Sequence, residues 1–258
     1  MRFSKICVYT VLCLTLVSGL VHAQDNGKRP IVFAASSLTS VLSEQAAYWS
    51  EKTGMPAPRL SFGASATMAR QIQAGAPAHI YISANPVWSE MLEKSGHTLQ
   101  RINIASNQLV LVIPKNLKPP LPFKATPAYF KQLLSGRHLA IADPQVAPAG
   151  AYARSYLKQA RLWESVQQKI AYGQNVRQAL RLAERGGLPA FVYKSDAIVS
   201  DNVSVLFEVP ADMTDVILYQ AALLKRAGTP SISFLTYLQT NEASTIWQKH
   251  GFSEIVSK

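Results

Sequence analysis

The sequence predicts an α/β fold in two lobes, each a mostly parallel sheet flanked by helices, joined by two crossover strands. Three observations predict it. Short apolar runs alternate with segments whose apolar residues recur at helical spacing, the pattern of a parallel sheet with helices on its faces. Two longer apolar strands, 107–114 and 216–225, bracket the second half of that alternation. A chain that leaves one α/β lobe, builds another and returns needs two such crossings. Finally, 235 residues remain once a 23-residue leader is taken from 258, enough to bury two cores.

The leader is read from the first residues. "MRFSK" is basic, an apolar run follows from Ile6 to Leu20, and "VHA" ends at Ala23 with small residues at the cleavage-type positions. This is the pattern of a secretory signal peptide. The run is shorter than the ~20 residues a membrane-spanning helix needs. Both cysteines, Cys7 and Cys13, lie inside it. The mature chain therefore carries no disulfide, thiolate metal site or cysteine nucleophile.

After the leader, "RPIVFAA" (29–35) reads as a strand buried on both faces. From Ser37 the residues Leu38, Val41, Leu42, Ala46 and Trp49 recur at helical spacing, and "KTG" closes that helix at Gly54. "RLSFGA" is a second strand, followed by a helix through Met68 and Ile72 to Gly75. "HIYIS" is a third strand, and "NPVWSEMLEKSG" a helix with Pro86 in its first turn and Gly96 past its end. "NQLVLVIPKN" (107–116) is a longer strand, and "LKPPLPFKATP" a proline-rich loop. The second series runs "HLAIADP" strand, "GAYARSYLKQARLW" helix, "KIAYGQ" strand, "NVRQALRLAERGG" helix, and "PAFVYKSDA" strand with its turn. "VSVLFEVP" and the long apolar strand "VILYQAALLK" follow, and Phe234, Leu235, Leu238, Ile246 and Trp247 mark two closing helices. The implied divisions are a leader at 1–23, a first lobe at 24–106 and 218–258, and a second lobe at 107–217.

Removing Arg2 and Lys5 with the leader leaves 24 Lys and Arg against 15 Asp and Glu, a net of +9. The positive residues are scattered singly, with no basic block and no aromatic-interleaved stripe, and export argues against nucleic acid. A solvated basic surface that weakly attracts anions is the better reading. The four mature histidines, His79, His97, His138 and His250, are dispersed without ligand spacing.

Four helices begin directly after a strand or loop, near Ser37, Ser65, Ala149 and Val176. The first turn of a helix leaves N–H groups unpaired and carries a partial positive charge, so anions bind there. In an open α/β sheet, ligands sit beyond the carboxyl ends of the strands, where these helices start. A serine in such a place is also an ordinary N-cap, and for any one of them that explanation suffices. None of the four starts has an acidic side chain at the cap.

The segments "VFAASSLT", "SFGASATMARQIQAGAPAHIYISA", "LAIADPQVAPAGAYA", "NVRQALRLAERG", "FVYKSDA" and the closing "GF" resemble, in order, those of the periplasmic molybdate-binding proteins of ATP-binding cassette transporters. The resemblance covers essentially the whole mature chain. It implies a type II periplasmic binding fold, two lobes closing over one oxyanion held by hydroxyls and main-chain N–H groups, with no charged side chain touching it. Carried over by position, the molybdate ligands are Ser37, Ser65, Ala149, Val176 and Tyr193. The two serines would give hydroxyl and N–H, Ala149 and Val176 their N–H, and Tyr193 its phenol. Many relatives have one serine where this chain has two; the alignment of "SLT" selects Ser37 and leaves Ser36 as a neighbour or local cap. Gln174-Asn175 stands where many relatives place an acidic residue. The resemblance also implies tungstate as a second ligand, no cofactor and no directly coordinated metal, transmembrane permease subunits as partners, a monomer, and the periplasm as location.

Two other functions leave marks in the sequence. Sulfate has the charge and shape of molybdate with shorter bonds, so cavity size must separate the two, and the resemblance alone favours the metal oxyanion. The strings "SYLK" (155–158), "SDN" (200–202) and "KTG" (52–54) fit the elements of serine β-lactamases. Their order is wrong, since "KTG" should come last and lie on a strand, whereas here it closes a helix. Asp143, before Pro144, reads as a turn or hinge residue, and Asp196 as ordering the turn below Tyr193.

Overall fold

The computed structural model describes residues 29–255. The leader at 1–23 and residues 256–258 of the returning segment lie outside them.

β1 (Ile31–Ala35) runs into a short 3-10 turn, Ser36–Leu38, and then α1 (Thr39–Thr53), which stops where Gly54 takes a left-handed φ of 68°. Only a residue without a Cβ adopts that conformation at no steric cost. β2 (Arg59–Gly63) leads to α2 (Ser65–Gln73), and β3 (Ile80–Ser83) to α3 (Pro86–Lys94), whose start is fixed by Asn85 accepting from the Val87 N–H. β4 (Thr98–Asn107) comes next. The sequence reading passed over it, because only Leu99, Ile102 and Ile104 carry its apolar signal and it is half exposed. Pairing along its whole length with a returning strand holds it, a contact made far away in sequence.

β5 (Leu109–Pro114) opens the second series. The proline-rich loop ends at α4 (Pro127–Leu133), a helix the sequence reading had not separated from that loop, capped by Thr126 and seated by Tyr129, Phe130 and Leu133. β6 (Leu139–Ala142), α5 (Pro148–Gln159), the short α6 (Trp163–Val166), β7 (Ile170–Gly173), α7 (Val176–Gly186) and β8 (Ala190–Tyr193) continue the alternation. The expected turn after β8 is a single helical stretch, α8 (Lys194–Ile198). β9 (Val203–Glu208), β10 (Ile217–Leu224), α9 (Thr229–Tyr237) and α10 (Asn241–Lys249) complete the chain.

The strands form two five-stranded sheets, ordered β2-β1-β3-β10-β4 and β7-β6-β8-β5-β9. In each sheet one strand, β10 or β5, runs against its neighbours, while the first three strands pair in parallel. The two sheets are therefore built to one plan, although the sequence shows no repeat of fixed period. The chain passes between the sheets at Gln108, between β4 and β5, and through residues 209–216, between β9 and β10; the first passage falls at the start of the expected segment 107–114, whereas the second comes ahead of 216–225, because β10 pairs wholly within the first sheet. Asn107 and Ile217, which the sequence reading put in the second lobe, pair with each other in the first sheet. An apolar run marks where a strand is, but not which sheet it joins.

β1 is buried on both faces, as its unbroken apolar run requires. Val32 and Ala34 face the main core with Val41, Leu42 and Trp49 of α1, while Phe33 faces a smaller cluster with Met68, Ile72 and Leu92 from α2 and α3. α7 buries Val176, Ala179, Leu180 and Ala183 and turns its charged side outward. This packing fixes the helix starts against the strand ends.

Candidate functional site

Three strands of each sheet, β1, β2 and β3 in one and β6, β7 and β8 in the other, end at a single gap. A small cavity of about 200 Å³ of empty volume lies there. Ser37, Ser65, Ala149, Val176 and Tyr193, the five positions singled out in the sequence, all line it, with Ser36 beside them.

Each is placed by its element. Ser37 sits in the 3-10 turn after β1, fully buried, its Oγ 2.8 Å from the phenol oxygen of Tyr219. Ser65 is the first residue of α2; the cap is Ala64, so an ordinary N-cap role does not account for this serine. Its Oγ accepts from the Ala84 N–H at 3.3 Å, and its carbonyl accepts from the Tyr81 phenol at 2.8 Å. Ala149 follows Pro148 in the first turn of α5. The next residue must be glycine, because a Cβ on Gly150 would stand 1.9 Å from the Ala142 carbonyl oxygen at the end of β6. Val176 opens α7, whose cap Asn175 accepts from the Gln178 N–H. Tyr193 closes β8. The Ser36 carbonyl accepts from the Thr39 hydroxyl at 2.7 Å.

Among the described residues, no charged side chain lines the cavity. It presents serine hydroxyls and the starts of α2, α5 and α7, whose first-turn N–H groups fall outside the intrahelical ladder. The Tyr193 phenol is buried with no hydrogen-bond partner among the described residues. Burial, then the neighbouring Tyr219, Tyr152 and Asp196, push its ionisation well above the usual tyrosine value. It stays a neutral O–H donor. A buried donor left unpaired is costly, which makes this phenol a fitting partner for a bound acceptor. A lining rich in hydroxyl and N–H donors, with no carboxylate among its described residues, suits a fully deprotonated anion.

The nearest charges are one step back. The Arg177 Nε lies 2.6 Å from the Asp196 Oδ1, and the Asp196 carboxylate also accepts from the Tyr193 N–H at 3.4 Å, ordering the turn as the sequence suggested. Burial raises the Asp196 carboxyl to about 6, with Arg177 pulling the other way. Asp143 accepts from the Gln145 N–H, a local turn.

The sequence reading missed Tyr219, which lies within hydrogen-bonding distance of Ser37, and Arg177. Tyr219 gives no local signal, since it reaches Ser37 only through the pairing of β10. Arg177 had one, its place directly after Val176. The serine-acylase strings are not assembled: Ser155 is exposed on α5, Lys52 lies in the last turn of α1, and Ser200 donates to Glu184 in the turn after α8. His79 accepts from the Ile31 N–H and His250 pairs with Glu44 at 2.7 Å; among the described residues no group of three His, Cys, Asp or Glu could hold a metal. Trp49 and Trp247 are buried in the core, and Trp88 and Trp163 carry Arg70 and Arg154 on their faces.

The two lobes touch across the gap. The Ala66 N–H donates to the Val146 carbonyl at 3.1 Å, and the Asn85 amide donates to the Tyr152 phenol oxygen at 3.3 Å. The cleft is shut.

The family model described as bacterial extracellular solute-binding protein matches residues 31–253. The chain is 35% identical over 233 residues to the molybdate-binding protein ModA of Escherichia coli strain K12, covering 89% of this chain and 90% of that one. It is 32% identical over 242 residues to the molybdate-binding protein ModA of Haemophilus influenzae, covering 92% and 95%. The solved periplasmic molybdate-binding protein of Azotobacter vinelandii matches with a TM-score of 0.75 at 25% identity, covering 89% of this chain and 100% of that one.

Proposed function

The chain belongs to the bacterial extracellular solute-binding proteins, in the group that holds the molybdate-binding proteins, and we propose that it captures molybdate in the periplasm for an ATP-binding cassette importer. The observation that supports this reading is the convergence of Ser37, Ser65, Ala149, Val176 and Tyr193 on one small cavity with no charged side chain among its described lining residues. Ser37 and Ser65 give hydroxyl and N–H, Ala149 and Val176 give N–H, and Tyr193 gives its phenol, which has no hydrogen-bond partner among the described residues.

A dianion taken out of water needs donors for every oxygen. Hydrogen bonds to a charged group contribute about 1.5–3 kcal/mol each, so several neutral donors and the helix starts offset the dehydration. Tungstate, of the same charge and shape, binds in the same way. The anion arrives with its metal already bound by oxygen, so no protein atom ligates the metal and no cofactor takes part. The protein acts as a monomeric carrier, exported by the leader that ends at Ala23, and its partners are the permease subunits of the importer. Its task is capture and release, and no chemical step falls to it.

Isothermal titration of the mature protein with molybdate, tungstate, sulfate and phosphate tests this. Molybdate and tungstate bind tightly at one site per chain, and sulfate and phosphate bind far more weakly. Sulfate as the tightest ligand, or no molybdate binding at all, overturns the reading.

A further inference from the structure

Arg177 touches both sides of the cleft. From α7 of the second lobe its Nη2 donates to the Ser37 carbonyl at 3.2 Å and reaches the Ser40 Oγ at 3.4 Å, both on the first lobe. Its Nε stays on Asp196 at 2.6 Å, within its own lobe. We propose that Arg177 is a cross-cleft latch, a positioning residue that holds the closed form over the ligand without lining the cavity.

The geometry divides the guanidinium between two tasks. The ion pair to Asp196 joins α7 to α8 and persists whether the cleft is open or shut. The bonds to Ser37 and Ser40 exist only when the lobes meet. Asp196 is fully buried and lies in the same lobe as Arg177, so the ion pair needs no closure to form and limits the freedom the fork has left to lose. The same guanidinium is tied to three cavity residues. It follows Val176 in the chain, it reaches Tyr193 through Asp196, and it holds Ser37 by its carbonyl. A donor that carries a full charge and is aimed at a carbonyl makes a stronger bond than the neutral contacts of Ala66 and Asn85 elsewhere across the cleft. The cation is thus kept near the anion's site, neutralised by Asp196, and its spare N–H groups serve closure.

This inference rests on the molybdate reading, and the experiment separates the two. Stopped-flow binding of molybdate to the parent protein, Arg177→Lys and the control Arg181→Lys gives association and dissociation rates. Lysine keeps a charge beside Asp196 but lacks the fork that reaches Ser37. Arg177→Lys raises the dissociation rate about 10- to 100-fold, the effect of losing a charge-assisted bond, and leaves the association rate within a few-fold. Arg181→Lys, one turn further along α7 and exposed, changes neither. A purely structural role for Arg177 would lower the melting temperature of the ligand-free protein and leave the dissociation rate alone, which would overturn the latch. If lysine loosens the fold, the double variant Arg177→Gln with Asp196→Asn removes both charges together, and the same rise in dissociation rate is expected. An unchanged dissociation rate in a variant that still binds molybdate refutes the latch alone, and a parent protein that does not bind molybdate refutes the proposed function.

Discussion

Ser65 is the residue at which the site can be tested most directly, because its hydroxyl has two separable tasks. Without ligand its Oγ accepts from the Ala84 N–H at 3.3 Å, a neutral bond whose loss costs about 1 kcal/mol of stability. On the proposed function the hydroxyl proton is donated to a buried molybdate dianion, and its loss costs about 1.5–3 kcal/mol. Ser65→Ala therefore lowers the melting temperature slightly and weakens molybdate binding roughly 10- to 150-fold. Ser155→Ala, at an exposed position in the middle of α5, changes neither. Calorimetric titration of both variants decides the assignment; a Ser65→Ala protein that binds as tightly as the parent sinks it. Four of the cavity positions, Ser37, Ser65, Ala149 and Val176, were legible as helix starts after a strand or loop, and the family resemblance added Tyr193 at the end of β8. Tyr219 and Arg177 were not, because what they do depends on atoms 182 and 140 residues away in the chain.

At the scale of the element, the start of α5 shows how packing sets a donor. Pro148 and Ala149 form its first turn, and Gly150 lets that turn lie against the end of β6. A methyl group at Gly150 would meet a backbone carbonyl oxygen at 1.9 Å, and no rotamer change relieves that. Gly150→Ala must push α5 away from β6 and carry the Ala149 N–H with it. Overpacking of this kind costs about 1–3 kcal/mol. The expected result is a lower melting temperature together with weaker molybdate binding, whereas an exposed glycine at a helix end would change stability alone. Thermal unfolding and titration of the variant check it; unaltered affinity would mean that the Ala149 N–H is no ligand. Most elements were legible from apolar spacing and their Gly, Pro and Asn boundaries. β4 and α4 were not, β4 because its partner β10 arrives 110 residues later at Ile217↔Asn107, α4 because Pro127 looks like the end of a proline-rich loop when it is the first residue of a helix.

For the whole molecule, the proposed ligands divide between the lobes: Ser37 and Ser65 stand on the first, Ala149, Val176 and Tyr193 on the second. An anion gains all five only when the gap is shut, so its affinity for the closed form exceeds that for the open form, and binding must shift the population toward closure. The connections permit such a motion. Among the described residues the chain crosses at two places, Gln108 and residues 209–216, and the Asn107 amide donates to Ser195 Oγ at 2.8 Å beside the first of them. Besides the Arg177 bonds to Ser37 and Ser40, the contacts that hold the shut form include the neutral ones from Ala66 to Val146 and from Asn85 to Tyr152; each is a single hydrogen bond that water can replace, so without ligand they hold the cleft weakly. Small-angle scattering of the mature protein therefore gives a larger radius of gyration without ligand than with it, the closed value lying near the ~17–18 Å of a compact chain of this length. Saturating molybdate brings the curve to the closed value, and sulfate at the same concentration leaves it open. Identical curves with and without molybdate, from a sample that titrates with it, would mean that the cleft is shut before the ligand arrives, and that closure plays no part in capture.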